Sequence, residues 1–312
     1  MLRQAADRRT LLFVATYFGL VALAWLTEPG LLLQAVLFIS ICCFSWFCAV
    51  ITHNTIHHPI FHSKRANKLF QIVLTQCYGH PVSTFVAGHN LSHHKHVQEA
   101  ADVMRTTKLR HRWNLLNLLL FFPTVAPSIL RGERQFIAYM RRERPRWYRQ
   151  FRIEAALLIG VMAALALIDW RKFLAFWWLP HVWAGYGIVT INLLQHDGCN
   201  EDDGINHSRN FVGRSLAWWT FNNGFHTIHH MKPSLHWSQT PAAHAELVHP
   251  HIHPALEEPS IWGYVWRAYF WPGRRMRFDG TPLELPPPLE DIDWVPRSRE
   301  VLETASLGAE SS

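Results

Sequence analysis

Three histidine clusters carry the chemistry that this sequence can offer: His53-Asn-Thr-Ile-His57, His89-Asn-Leu-Ser-His93-His94 and His226-Thr-Ile-His229-His230. Spacings of three and four bring imidazoles onto one face of a helix. Neutral imidazole is the commonest protein ligand for iron, zinc and copper, so three such faces converging would hold more than one metal ion. The chain has 21 histidines, none of them before position 53. A single histidine is ordinarily a hydrogen-bonded core or surface residue. Whole clusters are different, because each buried, unpartnered ring would cost about 1–3 kcal/mol and the accumulation calls for a common partner. That partner is expected to be metal.

Within the clusters, His53 and His57 form an i, i+4 pair, and His58 and His62 form a second pair turned about 100° away. His89 and His93 are expected to share a face, with His94 rotated toward a neighbouring ion; His226, His229 and His230 follow the same logic. Each adjacent doublet would straddle a pair of ions. Asn192 and His196 stand one turn apart. His58, His62, His80, His96 and His207 are expected to support the ligands. His236, His244, His249, His251 and His253 are expected on the surface or in turns.

The elements that position these residues follow from the bunching of apolar residues. Thr10 to Thr27, Pro29 to Thr52 and Phe173 to Gln195 carry no Asp, Glu, Lys or Arg, and Ala155 to Ile168 adds a shorter run. A hydrocarbon core of about 30 Å needs ~17–25 helical residues, and the short run can span with Arg152 and Glu154 reaching toward the headgroups. The expected fold is all-α. Four transmembrane helices, at about 10–27, 31–52, 153–168 and 173–195, form two hairpins, and a cytosolic helical cap (53–152 and 196–275) carries the His-rich di-metal site. Residues 1–275 are read as one membrane domain and 276–312 as an extended or disordered tail, Thr304–Ser312 included. The first span has no small-residue cleavage site before Glu28, so a cleaved signal is disfavoured. Arg3, Arg8, Arg9 and the Arg/Lys-rich 52–152 segment place the cap on the cytoplasmic side of a multi-pass membrane protein. Arg131 to Arg152 holds eight arginines among aromatics and is expected to lie on anionic lipid; nucleic-acid binding is disfavoured.

Several chemistries are excluded or weakened. Glu246-Leu-Val-His249 is a lone Glu-x-x-His and no His-Glu-x-x-His occurs, which disfavours carboxylate-bridged two-iron and zinc-protease sites. There is no Gly-x-Gly-x-x-Gly run and no clustered cysteine motif for a flavin, nicotinamide or iron–sulfur group. The five cysteines form no CxxC pattern and are expected to pack as small apolar residues. A metal transporter would place its polar ligands near the bilayer midplane, whereas these spans carry only His181, for which a hydrogen bond across helices is expected.

The three clusters, in this order, resemble the histidine boxes of the membrane fatty acid desaturase family and its hydroxylase relatives. Asn54-Thr-Ile-His57-His58-Pro-Ile-Phe61, Gly88-His-Asn-Leu-Ser-His-His, Asn206-His-Ser-Arg-Asn-Phe211 and Asn222-Asn-Gly-Phe-His-Thr-Ile-His-His, followed by Leu235-His-Trp, carry the likeness, which covers roughly residues 10–275. The resemblance implies two iron ions held by His53, His57, His89, His93, His94, His196, His226, His229 and His230, with Asn192 acting through water. The spacing of the first box differs from that of stearoyl-type members, and His58 would restore it; His57 is preferred. The resemblance further implies O2 as co-substrate, a fatty acyl substrate in an apolar tunnel and an external electron donor such as a ferredoxin or a protein of the cytochrome b5 type. Desaturation is the expected reaction, with hydroxylation, acetylenic bond formation and oxidative decarboxylation as alternatives on the same scaffold. Asp197, Asn90 and Asn223 are expected to orient the ligands. Trp218, Trp219 and Phe221 would either line the tunnel or pack at the membrane.

Overall fold

A computed structural model describes residues 1–28 and 30–295; the Thr304–Ser312 tail lies outside the described residues. In chain order the helices are α1 (Arg8–Leu26, preceded by a 3-10 turn), α2 (Leu31–His57), α3 (Lys64–Tyr78), α4 (Val82–Val86), α5 (Asn114–Glu143), α6 (Pro145–Ile168), α7 (Trp170–Phe173) and α8 (Leu179–His196). After α8 come α9 (Arg214–Trp219), α10 (His226–Met231), α11 (Thr240–Leu247) and α12 (Ile261–Val265). Two-residue strands β1 (Asn210–Phe211) and β2 (Glu257–Glu258) pair in parallel. Three π-helical stretches, Ala87–His93, Leu174–Trp178 and Trp266–Phe270, interrupt the α-helices. The protein is thus mostly helical, as the apolar patterning predicts.

The chain divides into two compact units. One comprises Met1–Val86 with Ile137–Ile188, the other Ala87–Phe136 with the residues from Val189 onward. In the first, α1 packs on α2 through an aromatic interlock of Phe13 with Phe44 and Phe47, at ring separations of 5.4 and 5.7 Å. The Ser45 hydroxyl donates to the Cys77 carbonyl at 2.8 Å and ties α2 to α3. Glu154 of α6 accepts from both the backbone and the hydroxyl of Ser83, each at 2.9 Å, which secures the start of α4. His181 finds the cross-helix partner expected of it: its Nε2 lies 2.9 Å from the Tyr17 hydroxyl, with both side chains buried. The His181 ring also explains Gly79, which ends α3 at φ +79; a Cβ there would sit 2.4 Å from that ring.

Among the described residues, four helices are long and apolar enough to cross a membrane: Ala5–Leu26, Leu31–His57, Asn114–Glu143 and Pro145–Ile168. Three coincide with expected spans. The 173–195 segment is helical but does not meet that standard, because Pro180, His181, Asn192 and Gln195 dilute its apolar residues. Asn114–Glu143 meets it instead, although Pro123 and Pro127 interrupt its sequence pattern and the sequence reading assigns it to the cap. Only 11% of the apolar window of α6 is buried, and Ile153, Leu157, Ile159, Leu167 and Ile168 point outward, as in a helix that faces lipid.

In the second unit, Cys199, Ala217, Phe225, Ile228, Val248, Ile252 and Leu256 form a buried core beneath α10. The β1–β2 pair lies beside it. The Phe211 amide donates to the Gly224 carbonyl at 2.8 Å, and a Cβ on Gly224 would meet the Phe211 carbonyl at 2.2 Å. Glycine at 224 therefore lets β1 run close against the entry to α10. The Asn210 side chain completes the join, accepting from the Thr227 amide and donating to the Thr227 hydroxyl, both at 2.9 Å.

Candidate metal centre

The second unit brings together seven of the predicted histidine ligands, and it sorts them into two groups. His93, His196, His226 and His230 form one; His89, His94 and His229 fall in the other, with ligand nitrogens of each group within 4.8 Å of one another. The sorting differs from the face assignment that α-helical geometry predicts. His89 joins His94 rather than His93, because residues 87–93 are π-helical and the His94 amide bonds the His89 carbonyl at 2.9 Å. An i→i+5 turn stacks residues five apart, so the rings of His89 and His94 lie 4.5 Å apart and His93 is freed for the other group. On α10, an ordinary helix, the i, i+4 pair His226 and His230 stays together and His229 turns to the first group. Each adjacent doublet is indeed split between the two groups.

The nitrogens converge too closely for hydrogen bonding alone. His94 Nε2 lies 2.9 Å from both His89 Nε2 and His229 Nε2. His226 Nε2 lies 2.9 Å from His196 Nε2 and 3.1 Å from His230 Nε2. A ring nitrogen has a single in-plane position, either a proton or a lone pair, so it cannot bond both neighbours. A cation at each meeting point accepts every lone pair at once. Ligands at about 2.0–2.1 Å from one ion stand roughly 3 Å apart, the separation seen here. His93 gives the sharpest sign: its ring is fully buried and its Nε2 has no hydrogen-bond partner. The residues therefore fit metal ions.

Hydrogen bonds behind the rings fix which nitrogen is free. His93 Nδ1 donates to Asp102 Oδ2 at 3.0 Å, and His196 Nδ1 donates to the His207 carbonyl at 3.1 Å; each leaves Nε2 as the lone-pair donor. Burial, reinforced by His94 and His226, holds His230 well below the ordinary imidazole range. Burial also holds His196 well below it, with the His93 and His207 rings acting in the same direction and the bond to the His207 carbonyl opposing them. Both rings are thus neutral, the form a metal requires. Burial pushes the Asp102 carboxyl up, but His93 and the amides of Gln98 and Met104 outweigh it and hold the group below its usual value.

Asp102 is the residue that sequence reasoning misses; its only signal is a lone acid nine positions beyond His93. Asp197, expected to orient a ligand, is instead engaged by Arg275 through three bonds of 3.1, 2.9 and 2.5 Å. It follows His196 directly and so points away from it around the helix. The Asn223 carbonyl accepts from Gln195, and the Asn90 side-chain oxygen has no partner. Asn192 is buried and donates to the Met104 carbonyl at 2.9 Å. In the first unit, His53 and His57 lie one turn apart on α2 with rings 5.3 Å from each other. His58 has left the helix in an extended conformation ahead of Pro59.

The remaining histidines have other partners. His80 meets Thr84 and His96 meets Glu99, and the buried His207 ring lies 5.4 Å from that of His230. Two of the histidines expected on the surface or in turns are buried: His236, bonded to Ser238, and His244, bonded to Glu257. His249, His251 and His253 are exposed. Trp218 and Trp219 are partly exposed, while Phe221 is buried against Trp237.

The sequence pattern of the fatty acid desaturase family matches residues 27–258, which takes in all three histidine clusters. No curated protein and no solved structure matches the chain. A mostly helical protein with four candidate membrane spans and two sets of imidazoles that could hold metal ions suits a membrane oxidoreductase. The chain belongs to the fatty acid desaturase family.

Proposed function

We propose that this protein is an O2-dependent desaturase that introduces a double bond into an aliphatic acyl chain at a histidine-ligated di-iron site. The observation that carries the reading is the convergence of seven imidazoles into two groups, six of them with Nε2 separations of 2.9–3.1 Å. Each group matches what one ion needs. By resemblance to the family's histidine boxes, His53 and His57 join the proposed ligands, giving His53, His57, His89, His93, His94, His196, His226, His229 and His230, with Asn192 acting through water. The enzyme is multi-pass, with its metal site on the cytoplasmic side, a reading supported by Arg3, Arg8 and Arg9 ahead of the first span.

When bound, the two irons supply reduction of O2 and the oxidising power that takes hydrogen from an unactivated methylene. The balance is one –CH2–CH2– unit, O2, two electrons and two protons giving –CH=CH– and two waters. The electrons come from an external protein of the ferredoxin or cytochrome b5 type. The protein's part is to hold neutral imidazoles in fixed tautomers, through Asp102 for His93 and the His207 carbonyl for His196.

Mass spectrometry of lipids from cells expressing the chain tests the reaction. Acyl chains lighter by two hydrogens are expected, and absent from cells expressing His93→Ala. Acyl chains that gain one oxygen would replace desaturation with hydroxylation.

A further inference from the structure

The segment after α12 lies beyond the residues that match the family pattern, yet it is tied to the loop that carries Asp102. Residues 98–106 form that loop. Its inner side is closed by Ser92, whose hydroxyl donates to the Ala101 carbonyl at 2.7 Å and accepts from the Val103 amide at 2.9 Å. The Gln98 and Met104 amides donate to Asp102 itself, at 3.0 and 2.8 Å. Its outer side is gathered by two cations. Arg105 Nη1 donates to the carbonyls of Ala100 and Asp102 at 3.2 and 3.3 Å, and Lys108 Nζ donates to that of Val103 at 3.0 Å.

Both cations are nearly buried, with side chains 3% and 9% exposed, and their charge is met by Asp291. Its carboxylate accepts from Arg105 at 2.5 Å, from Lys108 at 2.9–3.0 Å and from the Ser128 hydroxyl at 2.5 Å. Arg105 also takes the Leu289 carbonyl at 2.5 Å, the Ile292 amide donates to the Ala100 carbonyl at 3.2 Å, and Arg110 bonds the Pro286 carbonyl. Trp294 seats the end of the segment over Gly132, where a Cβ would meet its ring at 2.5 Å.

We propose that residues 286–294 act as a strap that sets the alignment of Asp102 on His93, with Asp291 as a positioning residue of the metal centre. The argument is one of charge. Arg105 and Lys108 are balanced by two buried or half-buried carboxylates, Asp102 and Asp291. With Asp291 neutralised, the buried Asp102 remains beside both cations, which already bond the carbonyls of Asp102 and Val103, and they compete with His93 for it. The His93 ring then loses the acceptor that fixes its tautomer, and the ion held by His93, His196, His226 and His230 is bound more weakly. Removing an outer partner of a ligand typically costs ~10–100-fold in metal affinity; acting through Asp102, loss of Asp291 is expected to cost a part of that, roughly 3–10-fold.

The inference rests on the metal reading, and the experiment separates the two. Full-length protein is purified in detergent, loaded with Fe2+ under anaerobic conditions and challenged with a chelator, and the iron remaining per chain is followed with time. Wild type retaining no iron would overturn the metal reading itself. Given wild type with two ions, Asp291→Asn should release one of them ~3–10-fold faster while the other keeps its wild-type rate, and Asp291→Glu should restore retention. The double variant Lys108→Met/Asp291→Asn should recover part of the loss, because it removes a competing cation. Equal release of both ions by Asp291→Asn, or a double variant that is worse than the single, would show a merely structural tail and overturn the proposal; so would an Asp291→Asn variant that keeps both ions at the wild-type rate.

Discussion

The segments that carry His89, His93 and His94 and His226, His229 and His230 reach the same result by different backbone routes. The first is a π-helical turn in which residues five apart stack; the second is an α-helix in which residues four apart stack. Both split an adjacent doublet between two groups of ligands. The sequence spacings differ by one residue between the clusters, and the extra residue is absorbed by the wider turn. The supports differ as well. His93 is backed by a buried carboxylate, Asp102, whereas α10 is held by neutral bonds from Asn210 to Thr227 and by the close approach of Gly224 to Phe211. One route places a carboxylate behind the ligand; the other shows shape and neutral hydrogen bonds at the start of the helix.

The largest effect should come from the ligand that both neighbours approach. His226→Ala removes the nitrogen lying within about 3 Å of both His196 and His230. Iron should fall by one ion per chain, and product formation should drop by more than ~100-fold, beyond the range of outer-partner losses. Metal analysis with lipid profiling checks it.

Next come the two supports. Asp102→Asn should weaken metal retention by ~10–100-fold, and Asn210→Ala should instead lower thermal stability by ~1–2 kcal/mol with a smaller effect on iron. Measuring both quantities for both variants breaks the comparison if the effects are reversed. The smallest effect is expected at His249, whose exposed ring meets Glu257 at 2.7 Å. His249→Ala should change stability by less than ~1 kcal/mol and leave iron content and product at wild-type levels.

Much of the candidate site is legible in the sequence because histidine is rarely clustered without a partner, and the second and third clusters supply imidazoles that the second unit brings together. Which histidine goes with which is not legible. An α-helical reading pairs His89 with His93, and only the backbone of residues 87–93 reveals the π turn that pairs it with His94. Asp102 escapes because it sits on an irregular loop with no periodicity to place it, while Asp197 misleads by adjacency to His196. Long-range contacts are hidden for the same reason: Tyr17 and His181 meet across 164 positions. Among the spans, three uninterrupted apolar runs read directly. Asn114–Glu143 does not, since its prolines and asparagines mask a helix that the rest of its residues support.

The central claim is that two ions are held by two sets of imidazoles, one of them through His93. The most direct measurement is iron per chain in full-length protein purified anaerobically, for wild type and for His93→Ala. Two irons in wild type and one in the variant are predicted. A wild-type protein with no bound metal, or a variant that keeps both ions, would contradict the account.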